Sequence, residues 1–326
     1  MAICGWGGYN ASVRMTSQEC RGIRHIRTRD ARTVAIEALS RFGRLAHKNR
    51  FISSLLSKER IYSMLPSTKY VEPVERTLDS SFKFRCHKDI SCFNICCRHT
   101  EMLLTPYDIL RMKKRLGLSS EEFLKKYTYV HIDETSKHPF AVLRMMDDED
   151  GRCPFVTSEG CSIYEDRPAN CRYYPIGKGL MMKESEAGPV PQEFFFFIRE
   201  PNCTGYNSDS EWTIETWRHE QGADIYDEMN KEWAEIQLRR DNPGCPKLAP
   251  EKQPLIYMAS YDLDRFRKFV FESGFLNMFD LDAEEIEKIK TDEIALMKFG
   301  FKYLKYILML EETLKIKDEF KKEKEE

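Results

Sequence analysis

The sequence predicts an α+β protein: a small cysteine-rich core of short strands and loops, flanked by helices and followed by a helical C-terminal part. Three observations predict it. Eight of the eleven cysteines form one ordered series, Cys86, Cys92, Cys96, Cys97, Cys153, Cys161, Cys171 and Cys203, with polar and glycine-rich flanks. Between them lie short β-branched and aromatic runs of strand length. From Glu211 onward the apolar residues recur at helical spacing instead.

At 326 residues, 41% hydrophobic and 12% aromatic, the chain can bury one sizeable core or two smaller ones. The division expected from the pattern is a basic extension over 1–63, a cysteine-cluster domain over 64–209, a helical region over 210–314 packing on it, and a charged tail over 315–326. Residues 1–50 contain ten Lys or Arg against Glu19, Asp30 and Glu37, so this stretch carries about +7 and the remainder about −9. An Arg-rich, acid-poor start resembles a transit peptide or a basic arm for anionic partners. The reading adopted is a poorly ordered extension, with the functional chain beginning near Met64. A whole-chain charge of −2 gives no warrant for nucleic acid as a partner.

The elements follow in order. Thr105-Pro106-Tyr107-Asp108 combines an N-cap, a proline at the first helical position and an acid in the first turn, and predicts a helix through Leu116 that Gly117 ends. Ser119 and Glu122 have capping-box spacing and open a second short helix. Lys113, Lys114 and Arg115 at the end of the first helix read as a solvated face rather than as a DNA reader. Thr128–Ile132 and Phe140–Met146 read as strands, and Asp147–Gly151 as a polar turn delivering Cys153. Further strands are expected at Arg172–Ile176 and Phe194–Arg199. Ile214, Trp217, Ile225, Tyr226, Met229, Trp233 and Ile236 form a helical core face up to Asn242-Pro243-Gly244. Helices follow near Leu263–Phe271, Ala283–Ile289 and Asp292–Leu314, and the charged end reads as a frayed tail.

No run of about 18 apolar residues occurs, so no membrane span is expected. No secretory signal is recognisable, which makes a reducing, cytoplasmic setting the expectation. There, clustered thiols favour a soft metal over disulfides. Zinc, copper(I) and iron–sulfur clusters suit thiolates; magnesium and calcium do not. The C-x2-C pairs of ordinary zinc modules are absent, which tilts the choice between zinc and an iron–sulfur cluster toward the cluster. The spacing also fails the radical C-x3-C-x2-C pattern, and no dinucleotide fingerprint, Walker loop, HExxH or GxSxG is present. Adjacent Cys96 and Cys97 would point apart in an extended segment. His87 and His99 are candidate substitute ligands, and Arg167 and Arg172 would set positive charge beside the thiolates.

Phe84-x-Cys86 through Cys97, Cys153-Pro154-Phe155, Gly160-Cys161-Ser162-Ile163-Tyr164 with Arg167-Pro168, Cys171-Arg172-x-x-Pro175 and Cys203-x-Gly205 together resemble the YkgJ-like or CxxCxxCC family of zinc- or iron-chelating proteins, over roughly residues 82–206. The chain departs from the namesake by lengthening the first gaps to five and three. The stretch from Trp217 through Trp233 is similar to a longer-chain subgroup. The resemblance implies a metal-binding or iron–sulfur-binding domain, with the eight cysteines as ligands. The alternatives are a cluster-dependent enzyme, either an oxidoreductase or a protein like the flagellin lysine N-methylases that share a similar cluster, and a thiol redox sensor using the Cys96-Cys97 pair. A protein or redox partner is expected, of unspecified identity.

Overall fold

The computed structural model describes residues 70–72, 75–183, 185, 190–240 and 245–321, so the expected basic extension lies outside the described residues. The fold is α+β, as the sequence predicts. In chain order the elements are β1 (Ser81–Lys83), β2 (Leu103–Leu104), α1 (Pro106–Leu116), α2 (Ser120–Tyr127), β3 (Thr128–Ile132), β4 (Pro139–Leu143), β5 (Val156–Thr157), β6 (Gly160–Cys161) and α3 (Ala169–Tyr173). There follow β7 (Ile176–Lys183), β8 (Val190–Phe197), β9 (Glu211–Thr213), α4 (Ile214–Glu220), α5 (Asp224–Arg240), α6 (Gln253–Tyr261), α7 (Leu263–Glu272) and α8 (Phe275–Met278). The last are β10 (Phe279–Asp280), α9 (Ala283–Thr291), α10 (Glu293–Ile307), β11 (Lys315–Ile316) and α11 (Asp318–Lys321).

Local chemistry sets the first helices. The Thr105 hydroxyl accepts from the Asp108 N–H while the Asp108 carboxylate accepts from the Thr105 N–H, and Gly117 closes α1 at φ 66°. Ser119 and Glu122 repeat the reciprocal cap at α2. One face of α1 is less solvated than the sequence suggests. Lys113 is only 5% exposed and is ion-paired with Glu293 of α10, which also holds Lys114 at 2.9 Å. A lysine stem laid along apolar surface with its charge neutralised at the tip explains the burial.

All strand pairs are antiparallel: β2-β4-β3 forms a three-stranded sheet, and β1-β9, β5-β6, β7-β8 and β10-β11 form ribbons. The larger core joins Leu104, Ile109, Met112, Phe123 and Phe140 to Tyr226, Trp233, Phe266, Phe301 and Leu304 of the later helices. The smaller packs Phe82, Phe84, Tyr173, Ile176, Phe195 and Phe197 under Ile214 and Trp217. Each large apolar side chain so buried stabilises the fold by about 1.5–3 kcal/mol.

Four expectations change. The helix expected from Glu211 is β9 followed by two helices, α4 and α5, separated where Gly222 takes φ 61°. Ile225 accordingly falls outside the core face, at 40% exposure, while Tyr226, Trp233 and Ile236 are buried as expected. The strand expected at Arg172–Ile176 starts only at Ile176, because Ala169–Tyr173 is helical. The helix from Asp292 ends at Ile307, and Lys315–Lys321 is engaged rather than frayed: Phe279 pairs with Ile316 and Asp280 with Lys315. No helix among the described residues is long and apolar enough to cross a membrane.

Candidate metal centre

β1 delivers the first cysteine. Phe84 is buried beside Trp217 and Tyr206, and its carbonyl accepts from the Trp212 indole N–H at 2.9 Å. The Arg85 N–H donates to the Gly205 carbonyl at 3.0 Å, which brings Cys86 alongside Cys203. Gly205 is required there: a Cβ would stand 2.6 Å from the Phe84 ring and 3.2 Å from the Arg85 carbonyl. Close approach, not backbone freedom, fixes this glycine.

The chain then turns through Cys92, whose carbonyl accepts from the Ile95 N–H, into a 3-10 turn at Ile95–Cys97. Asn94 enters it at φ 66° and donates its side-chain amide to the Thr157 carbonyl at 2.9 Å. The turn keeps Cys96 and Cys97 near each other, so that the neighbouring thiol raises the Cys96 pKa, with desolvation adding to it. The pair is therefore not splayed as an extended segment would make it. The Cys153 N–H donates to the Cys97 carbonyl at 2.8 Å, and His99 N–H to that of Gly151 at 2.8 Å, so the second cysteine block is docked on the first.

Cys161 lies in β6 opposite Val156. Cys171 lies in α3, whose Ala169 N–H donates to the Asp108 carboxylate of α1 at 2.9 Å.

Four of the predicted ligands, Cys86, Cys92, Cys96 and Cys203, line one narrow cavity of about 20 Å³, together with Phe84, Tyr174 and Glu200. That is space for a guest of about one water molecule. Of the remaining four, Cys97 ends the 3-10 turn, Cys153 and Cys161 come from the docked block, and Cys171 comes from α3. Cys153, Cys161 and Cys96 all act electrostatically on Cys171. Among the described residues no three Cys, His, Asp or Glu side chains already form a closed ligand set, so chelation would require these side chains to rotate toward a common centre. The donor chemistry fits a soft ion: four sulfurs face one void, with no carboxylate-rich shell.

The electrostatics separate the thiols. Desolvation, reinforced by Cys96, Cys92 and Cys203, pushes Cys86 up to about 12. Desolvation also raises Cys153 to about 11, and raises Cys161, Cys171 and Cys203. Cys96 and Cys171 present accessible surface, yet protein atoms and other sulfurs crowd them from the remaining directions. Cys92 behaves oppositely. Desolvation opposes its ionisation, but hydrogen bonds from the Thr204 hydroxyl and the Thr204 and Gly205 N–H groups hold it below the usual thiol range.

The two arginines diverge. Arg167 lowers the Cys161 pKa against desolvation, as expected of a positive charge beside a thiolate. It donates to the Tyr164 carbonyl at 2.6 Å and the Gln221 side chain at 2.8 Å, while Asp166 pairs with Arg111 instead. Arg172 instead binds the Gln221 and Glu165 carbonyls and the Tyr226 hydroxyl, and so ties α3 to the start of α5. His87 lies outside the thiol cavity, 3.5 Å from Asp89, and His99 packs on Gly151. Thr204, Tyr174 and Glu200 went unmarked in the sequence. Thr204 occupies the variable place of Cys203-x-Gly205, and a hydroxyl between a cysteine and a glycine was the only signal available.

Comparison with curated proteins and with solved structures gives no match to the chain. Residues 85–204 do match a family model, CxxCxxCC, described as "Putative zinc- or iron-chelating domain", and the matched segment carries all eight of these cysteines.

Proposed function

We propose that this domain chelates soft metal through two four-sulfur sets, Cys86, Cys92, Cys96 and Cys203 in one, and Cys97, Cys153, Cys161 and Cys171 in the other. The convergence of the first four on one cavity carries the reading. They come from three stretches of chain, the loop after β1, the 3-10 turn and the segment before β9, so an ion held among them would cross-link those stretches. A void of about 20 Å³ favours a single ion over a multi-iron cluster. Zinc bound there would supply folding energy and neutralise thiolates that otherwise repel one another. Arg167, close to Cys161, offsets part of the negative charge of the second set.

One observation favours an iron–sulfur cluster as the second reading: Cys96 acts on Cys86 and Cys203 and also on Cys153 and Cys171, so a larger centre could draw on both sets. Zinc, iron and acid-labile sulfide, measured with a visible spectrum on protein purified without oxygen, decide between them. Colourless protein with zinc and no sulfide supports the two-set reading. Iron with matching sulfide and broad visible absorption replaces it with a cluster, and metal-free protein of normal fold overturns both.

A further inference from the structure

A polar cleft of about 320 Å³ adjoins the thiol cavity, walled by Arg85, His87, Ser91, Thr204 and Asn207 among others. Ile90 lines both spaces, and Thr204, which lines the cleft, contacts the Cys92 sulfur, so the partition between them is one side chain thick. The cleft's walls are clamped where the Arg85 N–H meets the Gly205 carbonyl and the Thr204 N–H meets Cys92. Its ionisable lining is a guanidinium and an imidazole, with no carboxylate. Nearby Asp89 stands 3.5 Å from His87, and Asp209 is taken up by Lys83. No ion pair or side-chain hydrogen bond among the described residues engages the Arg85 guanidinium.

An arginine fork without a carboxylate partner, flanked by a hydroxyl and a side-chain amide, is chemistry for a planar or tetrahedral oxyanion. The volume suits a small ligand, at the lower end of small-molecule sites. We propose that this cleft binds the oxyanion end of a small ligand, a carboxylate or phosphate group held by Arg85 with Ser91 and Asn207, placing the rest of that ligand beside the thiol cavity. The site goes beyond the metal reading and does not depend on it.

Calorimetric titration of the full-length protein at low ionic strength, with inorganic phosphate and with succinate in separate runs, tests the assignment. At least one probe is expected to saturate, phosphate alone assigning a phosphate site and succinate alone a carboxylate site. Arg85→Gln and Asn207→Asp should each weaken that binding roughly ten-fold or more. Lys288→Gln, on the exposed face of α9, should leave it unchanged. Arg85 and Asn207 are exposed, and circular dichroism checks that the variants fold. Metal content measured on the same samples keeps the two readings apart: metal-free protein that still binds the anion supports the cleft while removing the metal centre. Failure of both probes to saturate, or wild-type affinity in Arg85→Gln, overturns the proposal.

Discussion

Thr204 meets the sulfur of Cys92 twice, with its N–H at 3.2 Å and its hydroxyl at 3.1 Å. These hydrogen bonds hold Cys92 below the usual thiol range while Cys86, Cys96, Cys153, Cys161, Cys171 and Cys203 are raised, which marks Cys92 as the sulfur prepared to be a thiolate. Thr204→Val keeps the shape and the N–H but removes the hydroxyl. It should weaken metal affinity roughly ten-fold, the usual scale for loss of a hydrogen bond to a ligand. Competition against a chromogenic chelator measures this, and unchanged affinity would show that the hydroxyl serves only packing.

Gly205→Ala tests how closely the two halves of the site approach. The added methyl would stand 2.6 Å from the Phe84 ring, which is itself boxed in by Tyr174, Tyr206 and Trp217 and so has little room to yield. A destabilisation of about 1–3 kcal/mol is expected from such overpacking. Denaturant unfolding of metal-loaded protein would register it, together with reduced metal content as Cys86 moves away from Cys203.

The two-set assignment makes separable forecasts for single cysteines. Cys86→Ser or Cys203→Ser should remove about one ion per chain and leave the other set loaded, and Cys161→Ser should do the converse. Cys245, whose thiol donates to the Arg239 carbonyl at 3.0 Å far along the chain from these sets, is the control, and Cys245→Ser should retain full metal. Loss of all metal from any one of the three site variants would instead indicate a single shared centre.

His138 supplies the pH dependence. It is 1% exposed, and burial together with the nearby Arg240 charge lowers its pKa to about 3, against a weaker pull from Asp133. The unfolded chain takes up this proton near the ordinary histidine value, whereas the folded chain resists it. Its contribution is therefore complete above about pH 6.5 and is lost as the pH falls toward 3, on the order of 4 kcal/mol over the whole range. Asp108 and Asp262 work in the opposite direction: burial raises both to about 6, so their contribution grows as the pH falls through that value. Comparing His138→Gln with wild type by urea unfolding at pH 7 and pH 5 isolates the histidine. The variant should show the smaller loss of stability on acidification, and equal losses would exclude His138 as the cause.

What could be read from the sequence was what short-range chemistry decides. Thr105 with Asp108, and Ser119 with Glu122, are caps closed within one turn, and both helices begin where those residues place them. The Ala169–Tyr173 helix was invisible because the carboxylate that meets its Ala169 N–H is Asp108, 61 positions earlier. The break at Gly222 is hidden in the sequence because Ile214, Trp217, Ile225 and Met229 keep helical spacings on both sides of it, and only the φ of 61° at Gly222 reveals the turn. At the site, thiol chemistry announced the eight cysteines. Their division was not legible, since it depends on the Arg85–Gly205 and Cys97–Cys153 backbone pairings between distant segments. Thr204 owes its position to the first of these pairings, and the Tyr174 hydroxyl donates to the Glu200 carboxylate at 3.1 Å across another 26 positions.

The larger core has a practical corollary. The cysteine-bearing segment holds all eight of the site cysteines but not the whole of its own interior: Leu104, Ile109 and Phe140 share one core with Tyr226, Trp233, Tyr261 and the helices around them. A fragment ending near residue 209 would be born with an oily flank open to water and no wall to lean on. For whoever wishes to express the chelating segment by itself, the C-terminal helices act as an intramolecular chaperone that never leaves, and retaining them through Leu314 is the route to soluble, loadable protein.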